Sequence, residues 1–503
     1  MLHLSEQELV RRQELETLLS LNVNPYPTEE FLITHHAAEI KQKFNPEQPE
    51  LLGNVSIAGR IMIKRIQGKA SFVDIQDATG KIQLYINREE LCPTEDKSLY
   101  ENIFKHNISI GDIIGVEGTV FLTKTGEITV RVKKLKILSK CLRPLPMPKE
   151  VDGKVYDAFT DPEQRYRMRY VDLIVNPHVR EVFIKRTRII NAIRDFFNAR
   201  GFLEVETPIL QPIYGGATAR PFVTHHNALN MKLYLRIANE LYLKRLIVGG
   251  FEAVYEFARD FRNEGLSRFH NPEFTQVELY VAYKDYLWMM NLVEELIEQV
   301  AITVNGSPIV HYNENITIDF SRPWKRYTLQ EAILKFAGID IDQATLEEIH
   351  QFALRAGISP EAHWKREHYI DELISKFVEP NLINPTFLMD YPIEMSPLAK
   401  KHRSKPGYVE RFELICNTKE ICNAYSELND PLDQRARLEE QAANRAAGDE
   451  EAMILDEDFL RALEFGMPPT AGLGIGIDRL VMLLTGAQSI KDVIFFPHLR
   501  PEN

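Results

Sequence analysis

EFARDFRNEGLSRFHNPEFTQVELY, Glu256 to Tyr280, is the stretch on which the fold turns. Its two ends read as strands, and the segment from Asn263-Glu264-Gly265 to Asn271-Pro272 reads as a long loop between them. The strand arms carry Arg262, Glu264, Phe274, Glu278 and Tyr280. Such a density of ionisable residues on strands that belong to a core is costly unless they meet a ligand or one another. A structural salt-bridge network is the plainer reading, and a binding site the sharper one. An arginine fork suits a phosphate or a carboxylate. Phe274 can stack a base, although a lone Phe more often serves a core.

Two later stretches carry the same kind of signal. In RFELICNTKEICNAYSELND, Arg411 to Asp430, Asn417-Thr418 makes a two-residue hairpin turn. That register sets Ile415 opposite Glu420, so Glu413 and Glu420 point to one side of the sheet. Two carboxylates on one face repel unless protonated or bridged by a cation, and Mg²⁺ with oxygen ligands is the simplest bridge. Strict alternation sends Asn423 and Glu427 to the other face, so sharing the site requires a bulge or a strand end between them. In TAGLGIGIDRLVMLLT, Thr470 to Thr485, Gly472, Gly474 and Gly476 alternate along a strand before a helix. The spacing is GxGxG rather than the dinucleotide GxGxxG. Glycines in that pattern let a ligand or backbone approach one sheet face. Arg479 falls in the first helical turn, beside a positive dipole end suited to phosphate.

Further out, residues 1–50 read as one or two short helices with a turn at Asn24-Pro25-Tyr26-Pro27. From Val55 five short strand-like runs follow, with a helical stretch from Arg88 to Lys105 after the third. This is the pattern of a small Greek-key barrel of the OB type. Its ligand-facing positions are expected to include Arg60, Lys64, Arg65, Phe72 and Gln83. CLRPLPMPKE reads as a stiff linker. Beyond it lies an α+β region, with a helix from Lys185 to Gly201 and FLEVETPIL as a strand closed by Pro208. Residues 285–301 and 328–378 read as mainly helical, and residues 386–427 and 469–477 as strands. RARLEEQAANRAAGDEEAM reads as a charged, solvated helix.

The 503 residues exceed what one hydrophobic core supports, so two or more domains are expected. No apolar run reaches the ~20 residues of a bilayer span, and the N-terminus reads as an acidic helix rather than a signal peptide. Four cysteines form no disulfide framework and no zinc pattern, which points to the reducing cytoplasm. The net charge is −12, yet residues 55–141 hold 14 Lys and Arg against 10 Asp and Glu. That local excess is the footprint of a polyanion ligand, or chance variation between segments. The chain has neither a GxxxxGK[ST] loop nor a GxSxG elbow, and the pairs His35-His36 and His225-His226 lack metal-ligand spacing.

Taken together, ARGFLEVETPIL, FRNEGLSRFHNPEF and GLGIGIDRLVMLL resemble the three ordered motifs of the class II aminoacyl-tRNA synthetases. The runs GGATARPFVTHHNALNMKLYLRIANELYLKRL, EMSPLAK and YSELNDPLDQR resemble the bacterial lysine-specific members of that family. The resemblance runs from about Val55 to the C-terminus. It implies an α+β fold: an OB-type β-barrel plus a class II catalytic domain built on an antiparallel sheet flanked by helices. The implied division is a helical extension at 1–54, an anticodon-binding barrel at 55–142, a linker at 143–165 and the catalytic domain at 166–503.

The resemblance also implies roles. Arg262 would bind the α-phosphate and the amino acid's carboxylate. Glu264 and Phe274 would hold and stack adenine, and His270 and Arg479 would contact the terminal phosphates of a bent ATP. Arg262 and Arg479 would thus be the catalytic cations. Glu413 and Glu420 would bind Mg²⁺. Gly216, Glu240 and Glu278 would surround the α-amino group, Asn423 would join Arg262 at the carboxylate, and Tyr280 with Glu427 would bind the ε-ammonium. Arg65, Phe72, Gln83 and Glu127 match positions that read the anticodon of tRNA(Lys). The implied activity is that of a lysine–tRNA ligase, joining L-lysine to AMP from ATP and then to the tRNA 3′ end. A homodimer with Pro208 near its interface, a cytoplasmic location and no membrane contact are implied as well. Cys422, Ala424 and Ala258 depart from the residues common in the family.

The pocket residues speak to the substrate independently. An aspartate pocket needs a cation, whereas Glu240, Glu278 and Glu427 suit a substrate bearing two ammonium groups. A buried carboxylate left unpaired costs ~3–5 kcal/mol, which excludes an uncharged or acidic side chain. One methylene is worth only ~1–3 kcal/mol, so shorter diamino acids are rejected modestly. The competing readings are an aspartyl- or asparaginyl-type synthetase, a catalytically silent RNA-binding paralogue, and a ligase that modifies a protein. The intact charged set argues against a silent binder, and the barrel against a protein modifier.

Overall fold

The computed structural model describes residues 4–147, 149–151, 154–156, 159–361, 364–446 and 453–502. The linker expected at 143–165 lies partly outside these residues, as does the tail of the charged helix beyond Ala446. Two compact units are present, Met1–Phe159 and Thr160–Asn503.

In the first unit, helices α1 (Glu6–Ser20) and α2 (Ala37–Lys43) precede a closed barrel of β1 (Asn54–Gln67), β2 (Ala70–Gln76), β3 (Lys81–Asn87), β4 (Ile113–Leu122) and β5 (Ile128–Ser139). The barrel order is β1-β2-β3-β5-β4, with helical turns between β3 and β4. Alternation builds it: Val73, Ile75, Ile82, Leu84 and Ile86 fill the interior, and their neighbours face out. Gly68 and Gly126 adopt positive φ at the hairpin turns expected there. Two expected ligand contacts are corrected. Arg60 donates to the Gly111 carbonyl at 2.8 Å, and Lys64 caps the helical turn by donating to the carbonyls of Phe104, Lys105 and Ile108. Burial pulls the Lys64 ammonium down to about 8.

The second unit is built on an eight-stranded sheet. Its strands, in chain order, are β6 (Leu203–Glu204), β7 (Ala253–Phe261), β8 (Glu273–Ala282), β9 (Lys325–Thr328), β10 (Thr386–Pro392), β11 (Tyr408–Cys416), β12 (Lys419–Ser426) and β13 (Thr470–Gly476). The spatial order is β9-β10-β11-β12-β13-β8-β7-β6, antiparallel except at the β9/β10 and β6/β7 edges. FLEVETPIL is not one strand as expected: pairing is confined to Leu203–Glu204 and Leu210–Gln211. Leu210–Gln211 joins a separate three-stranded sheet, which draws the chain away from β7.

The sheet has two unlike faces, as antiparallel sheets often do. On one face Val277, Leu279 and Val281 of β8, Ala471, Leu473 and Ile475 of β13, and Phe412 and Leu414 of β11 form a single core. Helices α3 (Pro177–Asn198), α4 (Tyr286–Asn305) and α5 (Ile477–Thr485) cover it with Ile189, Ile193, Phe197, Met289, Val293, Ile297, Leu480 and Val481. Each large apolar side chain buried there contributes roughly 1.5–3 kcal/mol. The intervening residues Gln276, Glu278 and Tyr280 of β8 and Gly472 and Gly474 of β13, with Asn423 and Tyr425 of β12, line a cavity on the opposite face.

Candidate functional site

The cavity measures about 360 Å³. Its outer end collects cations and exposed loops. Arg262 stands just past β7, its backbone N–H bonded to the Pro272 carbonyl at 2.8 Å, so the loop is closed at its base. Its guanidinium lies 5.1 Å from the centroid of the Phe274 ring, and its Nε has no hydrogen-bond partner. Glu264 is exposed on the loop. Arg479, in the first turn of α5, donates to the Glu420 carbonyl oxygen at 2.8 Å and lies 3.4 Å from its carboxylate. Its Nη2 meets His270 Nε2 at 3.1 Å, and Ser267 Oγ lies 2.7 Å from His270 Nδ1. Burial and the adjacent Arg479 charge push the His270 ring below its ordinary pKa, which leaves it neutral at pH 7.

The hairpin β11–β12 turns at Asn417 and Thr418, both at positive φ, as a two-residue loop with a right-handed strand twist requires. Ile415 pairs with Glu420, the register the turn implied. The next pairs are Leu414 with Cys422 and Glu413 with Asn423, so Ile421 is an extra residue in β12. This bulge resolves the alternation problem. It returns Asn423, and after it Tyr425 and Glu427, to the face that holds Glu413 and Glu420. Glu413 does not line the cavity directly. Arg411 holds it through Nη2 at 2.5 Å, and also donates to Asn423 Oδ1 at 3.1 Å, the Met395 carbonyl at 2.8 Å and Ser396 Oγ at 2.9 Å. Burial pushes the Glu413 carboxyl up to about 7, with Glu420 adding to the push against the pull of Arg411.

The inner end is buried and acidic. Glu278 accepts from Gln276 Nε2 at 2.7 Å and from the Tyr280 hydroxyl at 3.0 Å. Burial, then Asp260 and Glu240, raise its carboxyl well above the usual range. Glu240 opens helix α6 (Glu240–Val248) and accepts from the Tyr425 hydroxyl at 2.7 and 2.8 Å and from Lys244 Nζ at 2.5 Å. Lys244 is also ion-paired with Glu427, which follows the end of β12. Gly472 creates the space for this group. A Cβ there would sit 1.8 Å from Glu427 Oε1 and 2.7 Å from the Tyr280 ring, so any side chain destroys the inner wall. Gly216 holds φ +87 against Ala238 and Glu240, where a Cβ would approach both at 3.1 Å.

Gly216, Glu240, Arg262, Glu264, His270, Phe274, Glu278, Tyr280, Glu420, Asn423, Glu427 and Arg479 therefore share one cavity. Sequence reasoning missed Arg411, Lys244, Tyr425 and Gln276. Gln276 sits two residues before Glu278 on the same strand face and was within reach of the alternation rule. Lys244 lies one helical turn beyond Glu240, an i,i+4 pair that the sequence displays.

In the first unit, Arg65, Phe72 and Gln83 line a second cavity of about 510 Å³ with Tyr85, Phe121 and Arg131. The Phe72 and Tyr85 ring centroids lie 5.3 Å apart across the β2–β3 pair, and Arg131 lies 4.7 Å over the Phe121 ring. Glu127 stands outside that cavity, 3.4 Å from Lys41 Nζ.

A class II catalytic sheet and an OB barrel are what comparison with known families finds. Residues 161–500 match the tRNA synthetases of class II (D, K and N), and residues 55–138 the OB-fold nucleic acid binding domain. The chain belongs to the class II tRNA synthetases of the D, K and N group. Three relatives that match nearly the whole of this chain are named lysine–tRNA ligases. One from Porphyromonas gingivalis (strain ATCC 33277) is 56% identical over 501 residues, spanning 100% of this chain and 86% of that protein. One from Christiangramia forsetii is 55% identical over 503 residues, with 100% and 87% covered. One from Azobacteroides pseudotrichonymphae is 54% identical over 499 residues, with 99% of each covered.

Proposed function

We infer that this protein is a lysine–tRNA ligase, which forms lysyl-adenylate from L-lysine and ATP and transfers lysine to the 3′ end of tRNA(Lys). The observation that carries the amino-acid assignment is the buried acidic end of the cavity, Glu240, Glu278 and Glu427 around Tyr280 and Gly472. No other proteinogenic amino acid presents two ammonium groups to such a set.

In the first step a carboxylate oxygen of lysine attacks the α-phosphorus of ATP, and the bond to the β-phosphate oxygen breaks to release pyrophosphate. The nucleophile is already anionic, so no general base is required. Arg262 is placed to take the α-phosphate and the carboxylate, with Asn423 beside it. Arg479 and the neutral His270 take the terminal phosphates, and Phe274 with Glu264 takes the adenine. These groups act by alignment and charge neutralisation in a site shaped before substrate arrives. Glu413 and Glu420 would hold Mg²⁺ through their carboxylate oxygens. When bound, the ion supplies charge neutralisation at the phosphates. In the second step the tRNA 3′-hydroxyl attacks the adenylate carbonyl, AMP leaves, and the hydroxyl proton passes to solvent. Arg65, Phe72 and Gln83 are proposed to read the anticodon, with Phe72 stacking on a base, and Glu127 to act at the rim.

A homodimer is supported by Leu203, Ile209, Leu210 and Val223, large apolar side chains exposed around Pro208. Light scattering at a mass near twice 58.1 kDa tests it. No helix among the described residues is long and apolar enough to cross a membrane, and all four cysteines are free, as suits the proposed cytoplasmic setting. The decisive experiment is ATP–pyrophosphate exchange with each amino acid, followed by charging of tRNA(Lys). Exchange stimulated by aspartate or asparagine instead of lysine would overturn the assignment.

A further inference from the structure

The acidic pocket contains a cation of its own. Lys244 is fully buried, and its ammonium lies between Glu240 Oε1, at 2.5 Å, and Glu427 Oε2. The rings of Tyr425 and Phe459 flank it at 5.6 and 5.8 Å. Among the described residues Lys244 is the charge partner of Glu427. A buried lysine is an expensive group to place beside a lysine-binding cavity unless it has a task there.

We propose that Lys244 is a positioning residue for substrate selection, an internal ammonium that holds Glu240 and Glu427 in place and sets the negative charge left for the amino acid. The inference rests on the lysine reading above. Three carboxylates and one internal ammonium leave two negative charges, the number that the α- and ε-ammonium groups of lysine neutralise. Glu240 is already engaged by Lys244 and Tyr425, so its part is to anchor Lys244 as much as to face the substrate. Glu278 and Glu427 then remain as the two acceptors for the two ammonium groups.

The surrounding groups make the pocket sensitive to pH through Lys244. From α6 come Glu240 and Arg245, the latter turned away to Asp456 at 2.8 Å. From the β12 end come Tyr425 and Glu427, and from β8 Glu278 and Tyr280. Helix α7 (Glu457–Glu464) contributes the Phe459 ring at Lys244. Burial drives the Glu427 carboxyl up, and Lys244 is the largest influence opposing it. Without Lys244, Glu427 would stay protonated to higher pH and lose its hold on an ammonium group.

The test is Lys244→Met, which keeps the length and removes the charge, assayed by lysine-dependent ATP–pyrophosphate exchange from pH 6.5 to 9. The expected result is a KM for lysine raised at least tenfold, with kcat and the KM for ATP within threefold of wild type. The acid limb of kcat/KM for lysine should also move to higher pH, and Lys244→Arg should recover part of the loss. Lys244→Arg keeps a positive charge between Glu240 and Glu427, so it is expected to fold even if Lys244→Met does not. Its KM for lysine should be raised less than tenfold, with kcat and the KM for ATP within threefold of wild type. A KM for lysine and a pH profile unmoved in Lys244→Met would overturn the proposal alone. So would a Lys244→Arg variant as impaired as Lys244→Met, or a uniform loss of kcat, both KM values and melting temperature. Wild-type enzyme without lysine-dependent exchange would overturn the lysine reading and this proposal with it.

Discussion

The two ends of the catalytic cavity hold charges of opposite sign in opposite surroundings. At the outer end Arg262, His270, Arg479 and Glu264 sit at the edge of solvent, on a loop and a first helical turn. At the inner end Glu240, Glu278 and Glu427 are buried on strands and a helix start, each tied to Lys244, Tyr425, Tyr280 or Gln276. In the proposed function the outer end admits and releases a large polyanion, and its arginines stay half-buried rather than fully desolvated. In the same reading the inner end tells one small side chain from nineteen others, and its charges are desolvated and pre-paired. Discrimination by charge is strong only where water cannot rescue a mismatch.

The sharpest way to break this contrast is at the outer end. Arg262→Ala is expected to abolish lysine-dependent exchange, a fall beyond ~1,000-fold, because one guanidinium serves both reacting groups. Near-normal exchange in that variant would sink the assignment of the site. At the inner end Glu427→Gln should lower kcat/KM for lysine by roughly 150- to 1,000-fold, equivalent to ~3–4 kcal/mol, the lower part of the cost of an uncompensated buried charge. The KM for ATP should stay within a few-fold, and an equal rise in both KM values would mean the two ends are not separate. Phe72→Ala, in the barrel, should spare exchange and weaken charging of tRNA by the ~1–3 kcal/mol of one lost base stack. Equal loss of both activities would remove the barrel from anticodon reading.

A smaller effect concerns stability. Asp260 is fully buried behind Glu278, 3.2 Å from Arg236, and burial pushes its carboxyl up to about 6 from 3.8. A raised carboxyl is least costly below pH 3.8, and its contribution is lost as pH climbs through 6. Asp260→Asn should therefore be more stable than wild type at pH 8, by at most about 3 kcal/mol, and the gain should vanish near pH 4. Urea unfolding at both pH values reads this, and a gain that grows on acidification would contradict it. The smallest effect separates the ends by screening. Raising salt toward 0.5 M, where the Debye length falls to about 4 Å, should raise the KM for ATP a few-fold and leave the KM for lysine nearly unmoved. A parallel rise would show that the inner end is wetter than its burial implies.

Much of this was legible before any coordinates. Each strand of the barrel could be read from alternation and turn residues, because a closed five-stranded barrel repeats one local rule. The hairpin at Asn417-Thr418 could be read because only a two-residue loop with both φ positive pairs Ile415 with Glu420. Arg60 and Lys64 could not, because an outward position on a strand does not disclose which backbone carbonyl lies within reach. FLEVETPIL misled for a related reason: its alternation is real, but β7 offers pairing to only two of its residues.

What the sequence by itself determined is the inventory and its order: a basic barrel, then Arg262, Glu264 and Glu278 on one hairpin, Glu413 and Glu420 on another, and glycines ahead of Arg479. These signals are local, set by side-chain alternation and turn chemistry within about twenty residues. What only the tertiary structure decided is who meets whom. The bulge at Ile421 is a property of two strands in register, and it alone brings Asn423, Tyr425 and Glu427 to the face that holds Glu413 and Glu420. Gly472 facing Glu427, and Lys244 reaching the same carboxylate, join three elements far apart along the chain. No local rule predicts such contacts, because the free energy that fixes them comes from burying the whole sheet against its helices.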